Sequence, residues 1–248
     1  QADVSPRTNR LWVTVAENSQ KYSMRMQDLS VQGSSLTEVV PGVGISQLVT
    51  DTDEGPIIYT NYQAPHGRLV KVLLTNPQPN AWRGIVPATS STIDGWAVGA
   101  DRISVETLKD ATSRIDTYAM DGSDHRSVKL PGIGSVKGLE DGAGSIAAYL
   151  DFSSFTTSPT VYTLDAASNA MQPWQGSASS ASSATGARIV TKQAWVTSKD
   201  GTRLPVFIVR RADVKADGTN PTLLYGYGGF NIPVTPDYQP FVLAWVQR

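Results

Sequence analysis

The densest chemical signal in the sequence is Tyr225-Gly226-Tyr227-Gly228-Gly229-Phe230-Asn231, which directly follows the apolar run Thr222-Leu223-Leu224-Tyr225. Glycines at 226, 228 and 229 free the backbone to take φ > 0 and to lie close to a bound group. Two readings fit. A glycine-rich loop at a strand end can present a hydrogen-bond donor to a substrate carbonyl as negative charge develops on it, and such a donor must be held in place beforehand. The other reading is a structural glycine turn flanked by core tyrosines.

Little else in the sequence is equipped for catalysis. Histidine occurs only at 66 and 125, in Gln63-Ala64-Pro65-His66-Gly67 and Asp121-Gly122-Ser123-Asp124-His125. Both are turn compositions, so we expect two exposed loop imidazoles and no catalytic pair. Cysteine is absent, which removes disulfides, thiolate nucleophiles and cysteine-ligated metal sites together. No Gly-x-Ser-x-Gly elbow occurs, so a serine nucleophile in that setting is missing. Neither a cofactor nor a metal is expected.

Composition narrows the partners. The 248 residues are 40% hydrophobic and 17% charged, with a formal net charge of −1 and dispersed basic residues. Such a chain has no field to recruit nucleic acid or an acidic membrane surface. No stretch approaches the roughly 18 apolar residues needed to span a bilayer. The start, Gln1-Ala2-Asp3-Val4, has neither a Met nor the basic-then-apolar pattern of a signal peptide. We expect the chain to begin in mid-protein, with its targeting region out of view.

The elements that would position the glycine-rich segment fall into two textures. To about residue 170, short strands alternate with Gly, Ser, Thr, Asp and Pro clusters, without a helical period. A strand–loop–strand unit repeats: through Val13 and Val15 and then Tyr22-Ser23-Met24-Arg25-Met26; at Ile57-Ile58-Tyr59 and then Arg68 to Leu74; at Ile103-Ser104-Val105 and then Arg114 to Tyr118; and at Ile146 to Tyr149 and then Thr160 to Leu164. The closing turns near Asp28, Leu74, Asp121 and Asp165 recur at intervals of about 45 residues, the length of a four-stranded propeller blade. An antiparallel sandwich has no reason to repeat at that interval, so a propeller is favoured. Gln175 to Gly186 is rich in Ser, Ala and Gly and reads as an exposed connection. Beyond it, Ala194-Trp195-Val196-Thr197 and Leu204 to Val209 predict an antiparallel hairpin around Ser198-Lys199-Asp200-Gly201-Thr202. Thr222 to Tyr225 predicts a strand buried on both faces. We place a domain boundary near residue 186.

From Ser198 to Thr202, at Pro205, Phe207-Ile208-Val209, Lys215 and Asp217-Gly218, from Leu224 to Ile232, and at Thr235-Pro236 and Tyr238, the sequence resembles the entry into the catalytic domain of the prolyl oligopeptidase family. Thr60-Asn61, Pro65 and Arg68-Leu69 are similar to one of its propeller blades. The resemblance runs the whole chain in register and is most specific from about 192 to 248. It implies a mainly β fold: about four blades over residues 1–186, the C-terminal part of a seven-bladed propeller, then the first strands of an α/β-hydrolase domain over 187–248. It implies serine-type endopeptidase activity on short peptides, cleaving after proline through an acyl-enzyme. In that family the second tyrosine of the motif donates to the oxyanion and the phenylalanine lines the proline pocket, which puts Tyr227 and Phe230 in those roles. A family arginine that holds the substrate backbone falls at Ala16, a departure that leaves the propeller's substrate contacts open. The family's serine, aspartate and histidine lie beyond the position of Arg248, so these residues alone are expected to be inactive. The implied partners are short proline-containing peptides and the remainder of the same polypeptide, in a bacterial cytoplasm or periplasm. A non-catalytic binding propeller, or a related oligopeptidase of different specificity, are the rival readings.

Overall fold

Ile57 and Ile58 are chain neighbours and so face opposite sides of one strand, yet both are fully buried. A sheet with two buried faces needs a neighbour on each side. The computed structural model supplies them; it describes residues 1–99, 101–175, 188–230 and 232–248.

Among the described residues, four antiparallel four-stranded sheets follow one another along the chain, each a meander whose adjacent strands are consecutive in sequence. The first contains β1 (Ala2–Ser5), β2 (Arg10–Asn18), β3 (Lys21–Asp28) and β4 (Thr37–Val40); the second, β5 (Ser46–Thr52), β6 (Gly55–Thr60), β7 (Arg68–Lys71) and β8 (Arg83–Val86). The third contains β9 (Thr92–Gly99), β10 (Arg102–Lys109), β11 (Thr112–Ala119) and β12 (Arg126–Ser127); the fourth, β13 (Ser135–Asp141), β14 (Ile146–Ser153), β15 (Thr160–Asp165) and β16 (Met171–Pro173). Of the leading strands, β9 lies against both β5 and β13, as the inner strands of neighbouring blades do. The four sheets are propeller blades, and the second and third strands of each are the recurring pair expected from the repeat.

Among the described residues, the buried apolar side chains form three clusters, each lying between successive blades. Trp12, Met24 and Val40 of the first blade meet Ile58, Val70 and Val72 around the second. Ile57, Leu69 and Ile85 turn the other way to meet Ile103, Val105 and Tyr118 of the third. Ala97 and Ile115 of the third pack on Leu150, Phe152 and Leu164 of the fourth. The period of two in each strand thus feeds alternate residues to alternate cores.

Polar clasps join the blades where apolar packing ends. Arg10 donates to the carbonyls of Thr52 (2.9 Å) and Asp53 (3.2 Å) and pairs with the buried Asp51, whose other oxygen accepts from Thr8 Oγ1. Arg102, itself buried, donates to Asp124 Oδ2 at 2.7 Å and to Thr117 Oγ1, which in turn meets Asn169 of the fourth blade. The expected closing turns have a shared chemistry. Asp28, Asp121 and Asp165 each accept both the backbone N–H and the hydroxyl of a following serine, Ser30, Ser123 and Ser168. Those bonds hold the three carboxyls below the ordinary aspartate range, the side-chain bond first.

The predicted hairpin is present: β17 (Ile189–Thr197) pairs antiparallel with β18 (Arg203–Arg211) as a separate two-stranded sheet. Gly201 at φ 87° lets the connecting turn close, and Ser198 N–H donates to Thr202 O at 2.8 Å. The helix α1 (Pro240–Gln247) follows, begun by Pro240, whose missing N–H costs nothing in a first turn. One expectation fails. Thr222 to Tyr225 joins no ladder and is exposed, Leu224 to 88%. An apolar run is buried as a strand only when flanking strands satisfy its N–H and C=O groups. Among the described residues none does so here. The proposed connection at 175–186 and the boundary at 186 lie outside the described residues, apart from Gln175.

Candidate functional site

Register fixes which loops share an end of the blade stack. Ile45, just before β5, donates its N–H to Asn61 Oδ1 at 2.8 Å, placing the start of β5 beside the 61–67 loop. Ile93 N–H donates to His66 O at 2.9 Å, so the start of β9 is at that end too. Thr92 pairs with Leu108, which brings the Asp110-Ala111 turn alongside. That turn needs positive φ at both residues, and it has it, 53° and 60°, without a glycine. Ser135 pairs with Ser153, adding the 154–159 loop to the same end.

The C-terminal segment is tied to this end. Gln193 Nε2 donates to Asp110 O at 2.6 Å, and the rings of Phe155 and Phe207 lie 5.6 Å apart. Ser153 Oγ accepts from Tyr238 N–H at 3.1 Å and lies 3.2 Å from Asp237 Oδ1, while Lys137 Nζ donates to Thr235 Oγ1 at 3.3 Å.

Tyr227 and Phe230 belong to the same segment and face water. Tyr227 is 50% exposed and Phe230 92% exposed, so the tyrosines flanking the glycines are not core residues. The glycines do not take the conformation their composition suggests: none of Gly226, Gly228 or Gly229 has positive φ, whereas Phe230 sits at φ 54°. Ile232 N–H donates to Gly229 O at 3.1 Å and closes the tight turn that holds Phe230 there. Gly229 matters for space instead. A Cβ on it would lie 2.8 Å from the Tyr227 hydroxyl oxygen, so a larger residue there would make the half-exposed phenol swing aside. Asn231, the last residue of the motif, lies outside the described residues.

The two histidines occupy loops at the blade rims, as expected. His66 Nδ1 meets Thr92 Oγ1 at 3.1 Å; His125 Nε2 meets Asp116 Oδ1 at 3.0 Å and its ring stacks on Tyr118. Each has its own partner, and neither approaches Tyr227 through any bond among the described residues. Ala16 sits in β2 opposite Tyr22 and offers only a methyl group.

The sequence reading missed a buried acid. Glu106, on β10, is 5% exposed, accepts from Ser113 Oγ at 2.6 Å and has Gly95 beside its other oxygen. Burial pushes its carboxyl up to about 7; Asp94 pushes the same way, while Ser113 and Lys137 oppose. The sequence hid it, because Glu106 takes a polar position, with Arg102 and Ser104, in the alternation of Arg102-Ile103-Ser104-Val105-Glu106.

Residues 1–177 match the family model described as prolyl oligopeptidase, N-terminal β-propeller domain. Over 239 residues the sequence is 28% identical to a prolyl endopeptidase of Elizabethkingia meningoseptica, an alignment covering 96% of this chain and 33% of that protein. The chain thus spans about a third of the length of the curated relatives it matches end to end. A solved structure from a mechanistic study of two prolyl endopeptidases superposes with TM-score 0.78 at 29% identity, covering 99% of this chain and 36% of the other. Prolyl oligopeptidase B from Galerina marginata, without ligand, superposes with TM-score 0.82 at 21% identity and 99% and 36% coverage, a likeness of fold.

Proposed function

The chain belongs to the prolyl oligopeptidase family, and from that membership we propose that it forms part of a serine-type endopeptidase that cleaves short peptides on the C-terminal side of proline. Residues 1–186 are assigned to the propeller and 187–248 to the start of the catalytic domain. The blades restrict access to the scissile bond, so that only short or unfolded peptides reach it. Peptides containing proline, and the remainder of the same polypeptide, are the partners we assign.

The observation that carries the reading is the placement of Tyr225 to Phe230. A solvent-facing phenol and an almost fully exposed phenylalanine stand on a glycine-jointed segment tied to one end of the blades. A buried pair would have spoken for a structural turn. In our assignment Tyr227 donates its hydroxyl to the tetrahedral oxyanion, and Phe230 lays its ring against the pyrrolidine of the substrate proline. The donor must be fixed before charge develops, so the Thr222–Tyr225 run gains flanking strands in the active assembly. The nucleophile, its base and its acid are assigned to the remainder of the polypeptide, because no Gly-x-Ser-x-Gly occurs in these residues. No cofactor is invoked.

Tyr227→Phe in the proline-cleaving enzyme tests this reading. Losing one oxyanion donor should lower kcat by about 10- to 1000-fold while leaving the fold intact by circular dichroism. Unchanged kinetics would remove Tyr227 from the mechanism.

A further inference from the structure

Three of the four leading strands, β1 excepted, depart once from regular pairing. Leu48 pairs with Ile58 and Thr50 with Ile57, leaving Val49 over; Ile93 pairs with Thr107 and Gly95 with Glu106, leaving Asp94 over; Val136 pairs with Phe152 and Gly138 with Asp151, leaving Lys137 over. A β-bulge re-aims the side chain of its extra residue. For Lys137 the target is visible: its ammonium donates to Thr235 of the docked C-terminal segment. Asp94 is the corresponding residue one blade earlier.

Asp94 opens onto a cleft of about 460 Å³, lined by Ile45, Gln47, Tyr59, Ile93, Gly95 and Trp96. Its wall is built in advance. Tyr59 and Trp96 stack with centroids 5.2 Å apart and planes 17° from parallel. Gly67, at φ 84°, leaves the space Tyr59 needs: a Cβ there would meet Tyr59 Cε2 at 2.4 Å. The lining contains a carboxylate, an amide, two aromatic rings and aliphatic surface, but no cationic side chain. Behind Gly95, Glu106 adds a second acid. The cleft lies at the blade end that also receives the C-terminal segment, since Ile45 and Ile93 mark that end.

We propose that this cleft is a subsite for a positively charged group of a bound peptide, either a lysine or arginine side chain or a free N-terminal ammonium. The cation meets Asp94 and the aromatic faces, and its aliphatic stem lies on Ile45 and Ile93. The proposal deepens the peptidase reading by naming a charge preference at the propeller. It rests on that reading for the ligand being a peptide.

The test is binding, so it does not depend on hydrolysis. The Trp96 indole N–H resonance of the chain is followed during titration with acetyl-Lys-Ala-Pro-amide, its norleucine counterpart, and Ala-Ala-Pro-amide with a free or acetylated N-terminus. The lysine peptide, the free-amine peptide or both should bind about fivefold more tightly than the neutral partner. The two pairs tell which source of charge is preferred. Asp94→Asn, with an unchanged dichroism spectrum, should abolish the preference. Equal affinities in both pairs, no movement of the Trp96 signal, or a preference that survives Asp94→Asn would each overturn the proposal. Failure to cleave after proline would instead defeat the peptidase reading and leave these titrations unaffected.

Discussion

Leu69 and Leu224 are the same residue with opposite fates: the first is completely buried between two blades, the second is 88% exposed. Both sit in apolar, strand-like runs, so local composition does not separate them. What separates them is company. Leu69 lies in β7 between β6 and β8, and its backbone groups are paired on both sides before its side chain meets Ile103 and Val105. Leu224 has no paired strand among the described residues. A sheet core is a property of neighbouring strands and only secondarily of the residues that fill it.

The sharpest way to challenge that contrast is to remove volume on the buried side. Ile58→Ala, between the first and second blades, should destabilise the chain by about 2–5 kcal/mol, read as a lower urea midpoint. A smaller effect, and one that depends on pH, is expected at Glu106. Its carboxyl is raised from an ordinary value near 4.5 to about 7, so the folded chain binds the proton more tightly than the unfolded one. The associated stability is complete below pH 4.5 and is lost as pH rises through 7, amounting to roughly 3 kcal/mol at 1.36 kcal/mol per pKa unit. Glu106→Gln should flatten urea midpoints measured between pH 5 and 8; a variant with the wild-type slope would assign the dependence to another group. Least of all should Leu224→Ser matter to stability, within about 0.5 kcal/mol. If it destabilised the chain as much as Ile58→Ala, the exposed segment would have hidden neighbours and the contrast would collapse.

The same contrast separates what could be read in the sequence from what could not. The second and third strands of the blades were legible as apolar runs between turns, some of them alternating cleanly as in Arg114 to Tyr118, and in three of the four blades they end at an aspartate turn. The inner strands were not. Ser46-Gln47-Leu48-Val49-Thr50-Asp51-Thr52 mixes polar groups that pair across blades with a bulge that breaks the alternation. The outer strands are too short to carry a period, Arg126–Ser127 being two residues. In the candidate site, Tyr227 and Phe230 stood out through the glycines around them, although none of these glycines reverses the backbone and only Gly229 lies close to another side chain. The Tyr59–Trp96 wall went unnoticed because it joins residues of different blades, and stacking across blades leaves no mark in local spacing.

Among the described residues, three apolar clusters serve four sheets, so the second and third blades are gripped from both sides and the first and fourth from one side each. Cooperativity in such a row passes only between nearest neighbours. Within this chain, then, thermal opening should begin at the margins and advance inward. The cleft beneath Asp94, set between the two doubly held sheets, occupies the part of the row that yields last.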